Sequence, residues 1–179
     1  MATIGVMGSG KQGWDELAAP LGVWIAQAGH NLLTGGGGGT MTCVARAFCS
    51  VPDRRGRCIG VLPSRPDAAR GFVPLDGYPN PYVEISILTP LPRHDLDTPP
   101  DALSRNHVNV LSSDLVVALP GGQGTRDEVR LGLLFGKPVV GFGPARAFDA
   151  MPPGLPVVSS VQDVAMFADR HLGGYESRR

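Results

Sequence analysis

LVVALPGGQGTRDEVRLGLL, Leu115 to Leu134, is the stretch on which the fold turns. Leu115 to Leu119 form a short apolar run, fit for a strand buried on both faces. Pro120, Gly121 and Gly122 break it. Beyond Gly124 and Thr125 the period changes. Val129, Leu133 and Gly136 recur three or four apart, as do Leu131, Leu134 and Phe135, which suits a helix packed on a sheet. Strand, glycine turn and helix together aim backbone N–H groups at an anion beyond the strand's end. Gly121, Gly122 and Gly124 let the main chain approach that anion. The amides of Gly124, Thr125 and Arg126 are expected to point at it, and Thr125 adds a hydroxyl. No GK[ST] follows, so this is not a Walker loop.

The same reading extends outward. Thr3 to Met7 is a predicted first strand, turned by Gly8, Ser9 and Gly10. The spacing Gly8, Gly10, Gly13 matches a dinucleotide fingerprint only formally. No acidic residue closes a second strand about 20 residues on, which disfavours a nicotinamide cofactor. Ser9 and the amides around Gly8 are expected at a phosphate or ribose. Asp15 can cap a helix with an apolar stripe of Leu17, Leu21, Trp24, Ile25 and Ala28, interrupted by Pro20. Asn31 to Thr34 is a second strand. Five glycines follow, Gly35 to Gly39. Gly36, Gly37 and Gly38, with Thr40, read as a phosphate-contacting turn or as a tight structural crossover. Thr40 can also cap a helix whose apolar face is Met41, Val44, Ala45 and Phe48.

Further strands are expected at Cys58–Leu62, Tyr82–Thr89, Val139–Phe142 and Leu155–Val158. Residues 63–81 are turn-rich, and Arg54, Arg55 and Arg57 read as a solvated turn. Pro90 to Leu103 reads as an exposed loop or flap, in which His94 and Asp95 lack partners for a metal site. Ser104 to Leu111 is a short helix, and Ser160 with Asp163 caps a final one. Six or seven strands alternating with helices give an α/β fold. It is expected to be a Rossmann-like, doubly wound, mostly parallel sheet with helices on both faces, a single domain over residues 1–179.

Composition narrows the function. Sixteen basic and sixteen acidic residues leave no excess cationic charge, which argues against nucleic acid as a partner. It also leaves self-association unopposed. No apolar run reaches the roughly eighteen residues of a membrane span, and the start reads as a strand rather than a signal peptide. The expected compartment is cytoplasmic. The three cysteines, Cys43, Cys49 and Cys58, form no CxxC pair and read as buried thiols.

Glu128 lies three residues after Thr125, over the first turn of its helix. A carboxylate there could stabilise positive charge at a ribosyl carbon or deprotonate water. Equally, it could only complement the helix dipole. Arg105 opens the preceding short helix and could hold phosphate bidentately, with Asn106 adding directional hydrogen bonds. A surface arginine is the alternative.

PGGQGTRDE, Pro120 to Glu128, resembles the PGGxGTxxE motif of the LOG-like family, formerly called lysine decarboxylase-like. TGGGGGTM, Thr34 to Met41, is similar to the family's first glycine turn. SRNHVNVLSSD, Ser104 to Asp114, and NPYVEISILT, Asn80 to Thr89, resemble the branch that includes molybdenum cofactor carrier proteins. The resemblance implies a nucleotide- or phosphate-binding Rossmann-like fold, as a homodimer or homotetramer. It places Arg105 and Glu128 as catalytic residues and Gly121, Gly122, Gly124 and Thr125 as the phosphate cradle. The activity it implies is phosphoribohydrolysis of a nucleoside 5′-monophosphate to base and ribose 5-phosphate, with no cofactor or metal. The alternative it implies is a carrier of a phosphate-bearing cofactor such as molybdenum cofactor. Phosphoribohydrolases carry an Arg-Lys pair in a helix led by methionine and histidine. Here Asn106 follows Arg105, which shifts the resemblance toward the carriers.

Overall fold

A computed structural model describes residues 1–92 and 102–173. In chain order the elements are β1 (Thr3–Met7), α1 (Asp15–Gln27), β2 (Asn31–Thr34), α2 (Thr40–Cys49), β3 (Cys58–Asp67), β4 (Gly71–Pro74) and β5 (Ile85–Thr89). They continue with α3 (Arg105–Leu111), β6 (Leu115–Ala118), α4 (Gln123–Leu134), β7 (Val139–Phe142), β8 (Val157–Val158) and α5 (Val161–Leu172). The strands form one sheet in the order β4-β3-β2-β1-β6-β7-β8, with β5 paired to β3. All pairings are parallel except β3 with β4. This is the Rossmann-like, doubly wound architecture expected of the sequence.

Alternation along the central strands builds two cores. Ile4, Val6, Leu115, Val117 and Leu119 face the layer of α1, α2 and α5, meeting Leu21, Ile25, Phe48 and Val164. Met7, Leu33, Val116 and Ala118 face the other layer, meeting Val129 and Phe148. Both faces are covered, so the β6 strand is apolar at every position rather than alternately.

The stretch after β3 departs from expectation. It is a hairpin rather than turns alone. β3 runs on to Asp67 and pairs back with β4, Ser64 opposite Pro74 and Asp67 opposite Gly71. Asp67 Oδ1 accepts from the amides of Ala69 and Arg70, which closes the turn. Pro63, Pro66 and the polar Ser64 and Arg65 between hide it, because the arm projects beyond the core and needs no apolar alternation. At α1, Trp14 holds the N-cap at φ 52, and Asp15 is the first helical residue rather than the cap. Arg54 is not solvated: it pairs with Glu84 at 2.8 Å and lies 5.2 Å over the Phe48 ring. Residues 93–101, including His94 and Asp95, and 174–179 lie outside the described residues.

Candidate functional site

A cavity of about 570 Å³ opens over the carboxyl ends of β1 and β6. Between these strands the sheet order reverses, since β1 leads to β2 on one side and meets β6 on the other. Parallel sheets leave a crevice at such a point. Two glycine turns and two helices wall it.

The first wall is the N-terminus of α4. Gly122 is its N-cap and brings no side chain to the first amides. Arg126 N–H is already bonded to Gly122 O at 3.0 Å. The amides left without an intrahelical acceptor are therefore those of Gln123, Gly124 and Thr125, one residue earlier than the sequence suggested. Gly122, Gly124 and Thr125 line the cavity, and a Cβ at either glycine would meet nothing within 4 Å. Gly121 sits behind them. A side chain there would run into Thr125 and lie 3.1 Å from Ser9 N, so this glycine lets the β6 turn close on the β1 turn.

The second wall is that β1 turn. Gly8, Ser9, Gly10 and Lys11 line the cavity. Ser9 Oγ accepts from Lys11 N at 3.2 Å and from Gln12 N at 3.0 Å, so those two amides serve the turn itself. The third wall is the glycine run after β2. Gly35 and Gly38 reach the cavity; Gly36, Gly37 and Thr40 do not. Gly36 O accepts from Asn80 N at 2.8 Å, and Gly37 O from Asn80 Nδ2 at 3.0 Å. Thr40 is fully buried, with its hydroxyl donating to Gln12 O at 3.0 Å. The run thus combines a cavity edge with a tight crossover. Gly39 shows the crossover most clearly. Its φ is +59°, and a Cβ would press into Ser9 O and Gly10.

The helix α3 supplies the fourth wall and is held at both ends. At its start Ser104 N–H donates to His107 Nδ1 at 3.1 Å. At its end Lys137 Nζ donates to the carbonyls of Leu111 and Ser113, at 3.0 and 2.7 Å. Those carbonyls are the acceptors a helix C-terminus leaves over. On the inward face Arg105 is buried, not superficial. Its Nη1 donates to Gly35 O at 2.7 Å and Val61 O at 3.0 Å, and its guanidinium lies 5.8 Å over the Tyr78 ring. Asn106 Nδ2 donates to Asp127 Oδ2 at 3.3 Å. Arg105 and Asn106 both line the cavity.

Glu128 of α4 closes it. It is 8% exposed and accepts from Asn109 Nδ2 at 3.0 Å. Burial pushes its carboxyl up to about 7. The Arg105 charge and the Asn109 hydrogen bond pull the other way, and Asp127 adds to the rise. A carboxyl in that range exchanges its proton near neutral pH, as a general acid or base must.

The structure therefore brings Gly8, Ser9, Gly38, Arg105, Asn106, Gly122, Gly124, Thr125 and Glu128 to one cavity, and leaves Gly36, Gly37, Thr40 and Gly121 behind its walls. Sequence reasoning missed Lys11, Met41 and Tyr78, which also line it. Tyr78 lies in a turn-rich segment with no local signal. Lys11 could have been found as the basic residue inside the first glycine turn. Among the described residues no three His, Cys, Asp or Glu side chains gather to hold a metal ion.

Residues 1–153 match the SLOG cluster4 family, a span that contains all four walls, Arg105 and Glu128. The chain belongs to that family. A molybdenum cofactor carrier protein from Chlamydomonas reinhardtii is 31% identical, with a TM-score of 0.71 over 96% of this chain and 98% of that one. A molybdenum cofactor binding protein from Rippkaea orientalis is 29% identical, with a TM-score of 0.69 over 94% and 96%. An uncharacterised protein of Archaeoglobus fulgidus is 30% identical over 83% of this chain and 84% of its own length.

Proposed function

We propose that this chain is a binding or carrier protein for a phosphate-bearing heterocyclic cofactor, of the class that includes molybdenum cofactor. The observation that carries the reading is likeness to the Chlamydomonas carrier along nearly the whole of both chains, with the cavity inside the shared span. In this reading the amides of Gln123, Gly124 and Thr125 cradle the phosphate, aided by the helix dipole. Lys11 neutralises it from the opposite turn. Tyr78 offers a flat face for a ring system, and Glu128 a hydrogen-bonding carboxyl. The space beside Gly122 and Gly124 is open, since a Cβ at either meets nothing within 4 Å. Any metal would arrive as part of the cargo.

Phosphoribohydrolysis is the second reading, favoured by a neutral-range Glu128 one turn along α4 from that cradle. Glu128 would take a proton from water, whose oxygen bonds to the ribosyl carbon as the N-glycosidic bond breaks. The departing base keeps the bond's electrons and is protonated. Titration calorimetry with molybdopterin-type cofactor and with nucleoside monophosphates, alongside an assay for ribose 5-phosphate, separates the two. Tight cofactor binding without sugar release supports the carrier. Ribose 5-phosphate production abolished in Glu128→Ala overturns it in favour of the hydrolase.

Three free thiols suit a reducing cytoplasmic location, and no helix among the described residues is long and apolar enough to cross a membrane. For self-association we favour the α3–α4 ends, where Leu111, Leu134 and Phe135 are exposed.

A further inference from the structure

The α3–α4 seam holds a polar contact whose role the ligand cradle does not explain. Asn109 is completely buried, one turn along α3 from Arg105. Its Nδ2 donates to Glu128 Oε1 at 3.0 Å, while its Oδ1 is buried and meets no donor. An orphaned amide oxygen in such a place is costly, and a purely structural seam would be better served by an apolar residue.

We propose that Asn109 is the positioning residue for Glu128, serving the carboxyl in both of its protonation states. An ionised carboxylate needs a donor, and the amide nitrogen supplies one. A protonated carboxyl needs an acceptor. Turning the amide by about 180° around its Cβ–Cγ bond presents Oδ1 instead. Either way one amide atom is left over, so neither state is fully satisfied. The charges acting on the carboxyl come from both helices: Arg105 of α3 favours ionisation, and Asp127 of α4 opposes it. Lys11, on the turn after β1, is a further cation lining the cavity, and Val6 and Met7 of β1 present no charge. The backbone of α3 cannot drift to relieve the pair, because Ser113 Oγ donates to Asn109 O at 2.8 Å and Lys137 grips the carbonyls beyond.

The consequence rests on the reading that the cavity takes a phosphate-bearing ligand. Protonated Glu128 removes a negative charge facing that anion, whereas ionised Glu128 repels it. Asn109 then sets the pH interval over which cargo is held or let go.

The test is a carbon-13 titration of the Glu128 carboxyl in the full chain without ligand, alongside the Asn109 side-chain amide signals. In the unmodified protein the amide signals are expected to shift with the same midpoint as the carboxyl. In Asn109→Leu the carboxyl midpoint is expected to rise by about one pH unit, because the ionised form loses a charge-assisted bond and the protonated form only a weaker neutral one. Asn109→Gln, which keeps the amide, is expected to restore part of that change. The affinity for inorganic phosphate between pH 5.5 and 8.5, the range chosen for the experiment, should fall through the same midpoint as pH rises. Amide signals that ignore the carboxyl titration in the unmodified protein overturn the proposal whether or not the leucine variant folds. So does an unmoved midpoint in a folded Asn109→Leu. If carboxyl and amide titrate together but phosphate affinity does not follow, the coupling stands and the ligand reading of the cavity fails.

Discussion

Glu128 burdens the native state over a definite pH window. Its carboxyl titrates near 4.5 when unfolded and at about 7 when folded. Below 4.5 it is protonated in both states and contributes nothing. Between these values the native chain binds the extra proton, so stability falls as pH rises, and above 7 the full cost is present. That cost is roughly 3 kcal/mol. Glu128→Gln is expected to recover much of it at pH 8 and little at pH 4.5, which denaturant unfolding at the two pH values would show. Arg105 works in the opposite sense. Removing its guanidinium in Arg105→Met strands the carbonyls of Gly35 and Val61, and the expected loss is about 2–4 kcal/mol together with weakened phosphate binding. A neutral result in urea unfolding would show that water replaces it. Glu128 could be picked from its place beside the glycine turn, and Arg105 from opening the short helix that precedes the Leu115 strand. Their environment could not, because Arg105 bonds to residues 70 and 44 positions away, and only the folded sheet brings those carbonyls to it.

Glycines at the two turns differ in what they do for their elements. At Gly39 the positive φ and the crowding by Ser9 and Gly10 make a side chain incompatible with the start of α2. Gly39→Ala is expected to cost at least about 2 kcal/mol, read as a lowered urea midpoint at unchanged slope. At Gly124 a methyl meets nothing, and alanine is the better helix former. Gly124→Ala is expected to leave stability equal or raised by up to about 1 kcal/mol while reducing phosphate affinity, as calorimetry would show. An unchanged affinity would move the anion away from the α4 amides. The main elements were legible because burial on both faces writes itself as unbroken apolar runs, as at Leu115–Leu119, and helices write a longer period, as at Val129 and Leu133. The β3–β4 hairpin was not legible. It leaves the core after Pro63, and its pairing is closed by an Asp67 side chain rather than by an apolar pattern.

For the molecule as a whole, the proposed association with a second copy would use the apolar corner at the ends of α3 and α4, unopposed by a net charge. Leu134 is 66% and Phe135 46% exposed. Leu134→Glu combined with Phe135→Glu is expected to give a single monomeric species in sedimentation velocity where the unmodified chain does not. An assembly unaffected by the pair would place the contact elsewhere. One flank of the sheet carries a different consequence. Among the described residues the strand β5 pairs only with β3, and its sequence ISILT leaves Ile85, Ile87 and Leu88 substantially uncovered. Its outer row of peptide groups is a template onto which an extended stretch of another polypeptide can lay itself. At high concentration or on partial unfolding, this margin is where fibrous or amorphous deposits would nucleate. A lysine in place of Ile87 would be the economical guard, recognised by a slower rise of light scattering on storage.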